Sequence, residues 1–61
     1  MVNKVNGLEV KIARLRAGFR QYDLAARLGI PQSRLSEIES GRRKPSPEIV
    51  GRLFKILHEH K

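Results

Sequence analysis

The stretch from Gly29 to Gly41, Gly-Ile-Pro-Gln-Ser-Arg-Leu-Ser-Glu-Ile-Glu-Ser-Gly, predicts a short helix that is entered through one glycine and ended by another. On a period of about 3.6 residues, Leu35 and Ile38 share one side, which we expect to face the interior. The opposite side is polar and carries Ser33, Arg34, Ser36 and Glu37. Taken alone, this pattern is typical of any amphipathic helix with a solvated face.

A second helix pattern precedes this stretch, at residues 21–28. Its inward side is predicted to consist of Leu24, Ala25 and Leu28. Gly29 fits the left-handed conformation that commonly ends a helix. Pro31 suits the first position of the next helix, because its missing N–H would be unpaired there anyway. Two helices joined by a short turn that contains glycine form a helix-turn-helix.

Two further helices are predicted, one on each side of this unit. The first of these helices is predicted at about residues 8–17, with Gly18 as its C-terminal stop. Apolar residues spaced four, three and four apart predict one buried stripe, formed by Leu8, Ile12, Leu15 and Phe19. Near the other end, Ser46 and Pro47 have the chemistry of an N-cap and a first helical residue. The last helix should close the core with Val50, Leu53 and Leu57. The sequence therefore predicts an all-α fold, a compact bundle of four to five short helices.

The chain has 61 residues, enough for one small domain. We divide it into an arm at residues 1–7, a helix-turn-helix domain at residues 8–58 and a tail at residues 59–61. This length leaves no room for an enzyme cleft, and Ser33 and Ser36 have no neighbouring base, so we expect neither catalysis nor a cofactor. Cysteine is absent, and His58 and His60 do not share a helix face, so no metal site is expected.

The charge balance indicates the class of partner. Thirteen Lys and Arg against six Asp and Glu give a net charge of +7, which attracts polyanions. Nucleic acid is the leading partner, and an anionic membrane surface is the alternative. The N-terminus has no apolar signal segment, and no run of about 18 apolar residues occurs, so we expect a soluble cytoplasmic protein that does not enter a membrane.

A more specific signal comes from motifs that occur in register between Gln21 and Ser46. They are a glutamine that opens the second helix, Leu-Ala, Leu-Gly, Ile-Glu-x-Gly and Pro-Ser. This set resembles the phage-repressor/Cro (XRE) family of helix-turn-helix domains, and the resemblance covers nearly all of residues 11–57. It implies a lambda-repressor-like domain that binds double-stranded DNA at a two-fold operator as a homodimer, in a small prokaryotic or phage transcriptional regulator such as a repressor or a restriction-modification controller.

The resemblance also implies roles for individual residues. It implies that Gln32, Ser33 and Glu37 contact bases and that Gln21 contacts a phosphate. It also implies an inward ion pair between Arg14 and Glu39. The resemblance and the positions of polar residues in and near the third helix together predict the phosphate or flanking contacts. These are Arg20, Gln21, Arg34, Ser36, Arg42, Arg43 and Lys44.

Three positions depart from the family pattern. Arg20 and Pro31 stand where residues with capping side chains are usual, so we expect both helices of the motif to lack a side-chain N-cap. Arg20 would gain a phosphate contact in exchange. Glu37 is acidic where it would face DNA, and it either accepts a hydrogen bond from cytosine N4 or repels phosphates and tunes specificity.

The last helix also bears apolar residues that its core-facing side does not use. These residues are Ile49 and Ile56, which lie two turns apart, and the bulky Phe54. They provide more apolar surface than one small core readily buries, and this predicts a dimer interface. In the competing interpretation, Ile49 packs on the third helix and Ile56 on the first within one monomer. A second function also stays open, that of a DNA-binding antitoxin or another module that uses this fold to bind a partner protein such as a toxin.

Overall fold

The computed structural model describes residues 6–59, and these form four helices joined by short turns. The helices are α1 (Gly7–Ala17), α2 (Gln21–Leu28), α3 (Gln32–Ser40) and α4 (Pro47–Glu59). α3 packs against α1 and α2, and α4 closes the bundle against the same two helices. Residues 6–59 contain no strand, and the predicted all-α architecture is confirmed. None of the four helices has the length and apolar character needed to cross a membrane.

α1 begins earlier than the sequence pattern predicts, because Asn6 caps it. The Asn6 Oδ1 atom accepts a hydrogen bond from the backbone N–H of Glu9 at 2.9 Å, which satisfies a donor that the helix itself leaves unpaired. Gly7 therefore belongs to α1 and not to the arm, whose other predicted members, residues 1–5, lie outside the described residues. At the opposite end α4 includes Glu59, one residue beyond the predicted domain boundary.

The side of α1 that faces the core is not the stripe expected from the sequence. The three helical members of that stripe are largely exposed, Leu8 by 62%, Ile12 by 42% and Leu15 by 57%. Only Phe19, which follows the helix, is buried. The buried residues of α1 are Val10 and Arg14, and Ala17 packs partly against the core. The periodicity was wrong for this helix because it takes account of apolar residues only, whereas the buried side of α1 includes Arg14, which is neutralised inside the protein by Glu39.

The core is built around three fully buried leucines, Leu24 and Leu28 of α2 and Leu35 of α3. Burying each such side chain stabilises the fold by about 1.5–3 kcal/mol. The predicted inward sides of α2 and α3 are thus confirmed. The other buried apolar side chains are Val10, Phe19, Ala25, Ile38 and Leu53.

α4 begins as its sequence predicts. The Ser46 hydroxyl oxygen accepts a hydrogen bond from the Ile49 N–H at 3.2 Å, and Pro47 is the first helical residue. On the core-facing side Leu53 is buried, while Val50 and Leu57 are half-buried. Two of the three residues assigned to a dimer interface, Ile49 and Ile56, are half-buried and pack against the core of this same chain. The third, Phe54, is 58% exposed.

Candidate nucleic-acid interface

A tight turn at residues 29–31 leads from α2 into α3. Gly29 takes the left-handed conformation expected from the sequence, with φ 78° and ψ 27°. Its N–H donates to the carbonyl of Ala26 at 3.2 Å, and the N–H of Ile30 donates to the carbonyl of Ala25 at 3.0 Å. Both bonds satisfy carbonyls at the end of α2 and determine the direction in which the chain leaves it.

Neither helix of the motif has a side-chain cap at its start. Pro31 occupies the N-cap of α3, so this helix begins at Gln32, one residue later than expected. Arg20 occupies the N-cap of α2 and makes no capping bond. The first turn of α3 also contains no acidic residue. The positive end of the α3 dipole is therefore uncompensated by its own helix, which suits the approach of an anion.

The outer side of α3 collects the polar residues that the sequence assigns to DNA contact. Leu35 and Ile38 are 0% and 2% exposed, and they hold the inner side of the helix in the core. The outer residues are exposed, apart from a half-buried glutamate, and they are Gln32, Ser33, Arg34, Ser36 and Glu37. A helix about 10–12 Å across fits a DNA major groove about 12 Å wide. The fold thus presents this side without needing it for packing.

A chain of hydrogen bonds connects this outer side with the interior. Arg14 donates from Nε to Glu39 Oε2 at 2.7 Å and from Nη2 to Glu39 Oε1 at 3.2 Å. Its Nη1 donates to the Phe19 carbonyl at 3.0 Å. Gln21 then donates from Nε2 to Glu39 Oε1 at 3.1 Å. Finally Gln32 donates from Nε2 to Gln21 Oε1, also at 3.1 Å. The buried ion pair is therefore linked through Gln21 to the exposed side chain of Gln32.

The link through Gln21 is a feature of the candidate interface that the sequence alone did not reveal. The resemblance assigns this residue a phosphate contact, whereas the structure joins it to both Glu39 and Gln32. These partners lie 18 and 11 residues away in sequence, so no periodic pattern could reveal the bonds. The ion pair itself stands at the two positions that the resemblance implies, Arg14 and Glu39, with side chains only 9% and 5% exposed.

Glu37 and Arg43, both expected to face DNA, are bound to one another. The Arg43 Nε atom donates to Glu37 Oε1 at 2.8 Å, and the two side chains are 51% and 43% exposed, with the arginine the more open. The hydrogen bond and the charge of Arg43 lower the pKa of the Glu37 carboxyl from its usual value. Glu37 is therefore ionised near neutral pH and acts only as an acceptor.

Other cations of the chain differ in whether the fold uses them. Four cations of the predicted set are exposed, namely Arg20 at the start of α2, Arg34 in α3, and Arg42 and Lys44 in the segment that follows α3. Arg27 instead places its guanidinium 5.1 Å from the centre of the Phe19 ring. Arg52 donates to the Leu28 carbonyl at 2.9 Å and pairs with Glu48 at 2.8 Å. Two of the cations, Arg27 and Arg52, thus make contacts within the fold.

The structure brings no set of metal ligands together within residues 6–59. His58 is exposed near the end of α4, and His60 lies outside the described residues.

Comparison with protein-family models places most of the chain in one family. A helix-turn-helix family model matches residues 10–60, which include most of α1 and all of α2, α3 and α4. A comparison with curated proteins gave no match. The matched range covers most of the chain and contains the turn, the buried faces and the outer side of α3 described above. The chain therefore belongs to the helix-turn-helix family of phage-repressor/Cro (XRE) type, a family of DNA-binding transcription regulators.

Proposed function

We propose that this chain binds double-stranded DNA sequence-specifically, as a homodimer on a two-fold operator, and thereby regulates transcription. The observation that carries the proposal is the bond from Gln32 to Gln21 at the start of α3. A side chain that reads bases contributes more to affinity when it is already held in one orientation, because ordering it on DNA would cost conformational entropy. Here the ordering is already present in the free protein.

The held amide of Gln32 retains the groups that an adenine requires. Its Nε2 atom has two N–H donors and gives one of them to Gln21, so the second N–H and Oε1 are available. A glutamine reads adenine by donating to N7 and accepting from the N6 amino group. Ser33, the next residue, is exposed and offers a hydroxyl to a neighbouring base.

Phosphate contacts are assigned to the exposed cations around α3, namely Arg20, Arg34, Arg42 and Lys44. Gln21 retains one N–H for the same purpose, and Ser36 offers a hydroxyl. Each cation that neutralises a phosphate contributes about 0.9 to the slope of log affinity against log salt concentration. Arg43 is a separate case, because its guanidinium is bound to Glu37.

The proposed dimer contact is centred on Phe54, since Ile49 and Ile56 pack mainly within the monomer. Phe54 borders an apolar groove of about 210 Å³ between α1 and α4, whose other lining residues are Glu9, Val10, Ala13, Val50, Leu53 and Leu57. A projecting aromatic ring beside a groove can be exchanged reciprocally across a two-fold axis. Such a dimer would place two α3 helices about 34 Å apart, one turn of DNA.

Sedimentation equilibrium tests the dimer. We expect the wild type to dimerise and Phe54→Glu to remain folded but monomeric, because a charge cannot be buried in the partner's groove. Lys55→Gln is the matched control, since it changes the charge equally at the neighbouring exposed residue. A wild type that stays monomeric at micromolar concentration, or equal dissociation in both variants, would rule out this interface.

Selection of bound sequences from a random pool of DNA duplexes tests the function. We expect a two-fold consensus, and we expect Gln32→Ala to relax the preference at one base pair of each half-site, where the contact is worth about 1–3 kcal/mol. If no consensus emerges, base reading by α3 is refuted. If Gln32→Ala weakens binding to all sequences equally, base reading by Gln32 is refuted.

A second candidate function, binding of a partner protein, is favoured by the exposed apolar side of α1. Leu8, Ile12 and Leu15 lie opposite the buried residues of the same helix and are free of core packing. Leu15→Gln would weaken a protein complex and leave DNA affinity unchanged. The comparison of both affinities in this one variant distinguishes the partner surface from the DNA surface.

A further inference from the structure

Glu37 and Arg43 are attached to one another at two points. The Arg43 side chain donates from Nε to Glu37 Oε1 at 2.8 Å, and the Arg43 backbone N–H donates to the Glu37 carbonyl at 3.3 Å. The same carbonyl accepts the N–H of Arg42 at 2.9 Å and the hydroxyl of Ser40 at 3.1 Å. The residues that follow α3 are therefore bonded back onto its last turn. This arrangement holds the Arg43 guanidinium beside the outer side of α3.

The pair presents an acceptor and several donors side by side. Arg43 uses one of its five N–H donors on Glu37 and keeps the other four. Glu37 uses Oε1 for this bond and keeps Oε2. An exposed ion pair of this kind contributes little to stability, because solvent screens the two charges. Its geometry is therefore better explained by what the two side chains present to a ligand than by what they add to the fold.

One base pair matches this pattern in the major groove. A G·C pair exposes two adjacent acceptors, guanine N7 and O6, followed by the N4 amino donor of cytosine. A guanidinium bridges the two acceptors, and a carboxylate beside it accepts from the amino group. In an A·T pair the N6 donor lies between the acceptors N7 and O4, so the two acceptors are separated and the guanidinium cannot bridge them.

We propose that Glu37 and Arg43 together read one G·C base pair in each half-site, with Arg43 on guanine N7 and O6 and Glu37 on cytosine N4. The inference rests on the proposed function, because it requires α3 to lie in the major groove. Glu37 is five residues beyond Gln32, roughly 7.5 Å along the helix. Since base pairs are about 3.4 Å apart, the G·C pair differs from the one that Gln32 reads. Arg43 is thereby assigned to a base and not to a phosphate.

The experiment compares consensus sequences selected from a random duplex pool by the wild type, Glu37→Gln, Arg43→Ala and the double variant. Affinities are then measured on the wild-type consensus and on the same duplex with that G·C pair changed to A·T. We expect the wild type to prefer G·C by about 5- to 150-fold, the range for a well-placed bidentate contact. Both single variants and the double variant should lose the same preference, because the two residues act as a unit.

Two control variants separate this contact from its neighbours. Gln32→Ala should relax a different position and keep the G·C preference. Arg42→Ala removes an adjacent cation that has no carboxylate partner in the described part of the chain, and it should lower the salt slope by about 0.9 on all duplexes. Arg43→Ala should leave that slope unchanged, since guanine carries no charge for it to neutralise.

Three results would overturn the proposal while the proposed function stands. The first is a two-fold consensus in which no G·C position depends on both Glu37 and Arg43. A uniform loss of affinity with a lower salt slope in Arg43→Ala would make that residue a phosphate contact. A uniform gain of affinity in Glu37→Gln would show that the carboxylate only restrains Arg43. Failure to select any consensus would instead refute the proposed function, and this inference with it.

Discussion

Arg14 in α1 and Glu39 near the end of α3 form a two-point ion pair inside the protein, with Nε and Oε2 2.7 Å apart. Their side chains are 9% and 5% exposed. The pair joins the first helix to the helix that carries the candidate interface, and Gln21 extends it toward Gln32. The position of Gln32 at the surface thus depends on charges that water barely reaches.

Removal of the Glu39 charge should strongly destabilise the fold. Glu39→Gln leaves Arg14 buried without a counter-ion, and we expect the free energy of unfolding to fall by about 3–5 kcal/mol. Glu48→Gln is the matched control, because Glu48 is 72% exposed and its pair with Arg52 should contribute only about 0–1 kcal/mol. Urea denaturation of both variants measures the difference. Equal losses would mean that the Arg14–Glu39 pair is not buried as described.

Addition of a methyl group at Gly7 should also destabilise the protein. A Cβ atom there would lie 2.6 Å from the Glu39 carbonyl oxygen and closer still to that of Ile38, and both atoms are backbone. We expect Gly7→Ala to cost about 1–3 kcal/mol, because α1 must move away from α3. Gly51→Ala, also within a helix but with nothing within 4 Å, should instead stabilise by about 0.5–1 kcal/mol. If the denaturation midpoints of Gly7→Ala and Gly51→Ala shift in the same direction, the close approach of Gly7 to the backbone of α3 is contradicted.

The exposed apolar residues of α1 should be dispensable for folding. We expect Leu15→Gln to change the free energy of unfolding by no more than about 0.5 kcal/mol, because the side chain is 57% exposed. Leu24→Ala should cost about 2–5 kcal/mol, since that residue is fully buried. Thermal unfolding of the two variants checks the assignment. A large loss of stability in Leu15→Gln would instead indicate that Leu15 is buried, as the periodicity predicts.

The pKa of the Glu37 carboxyl should rise when Arg43 is replaced. In the folded protein the Arg43 hydrogen bond and charge lower this pKa from its usual value, with smaller contributions from Arg34 and Arg42. Because the folded-state pKa is lowered, the stability contributed by the pair is present above the unfolded-state pKa and is lost as pH falls through the folded value. A carboxyl titration followed by NMR in the wild type, Arg43→Ala and Arg42→Ala tests the cause. The Arg43 variant should show the larger increase, and equal pKa values in all three proteins would disprove the ion pair in solution.

The sequence by itself was sufficient for the helix-turn-helix unit and for the start of α4. The conformation of Gly29, the buried face of Leu35 and Ile38, and the cap formed by Ser46 were all predicted correctly. Each depends on interactions within a few residues, such as backbone freedom, helical period and capping chemistry. These local preferences do not change with the neighbour against which a helix packs.

Only the tertiary structure showed that the apolar stripe of α1 is exposed and how the outer side of α3 is organised. Periodicity predicts that this stripe faces inward, and the resemblance separately implies an inward pair of Arg14 and Glu39. The two expectations conflict on one helix, and the packing of α1 against α3 decides between them, because Glu39 lies 25 residues from Arg14 in sequence. The bonds of Gln32 to Gln21 and of Glu37 to Arg43 likewise join residues from different segments. The free energy of a polar side chain depends on the partner that meets it, and only the crossing of the helices determines that partner.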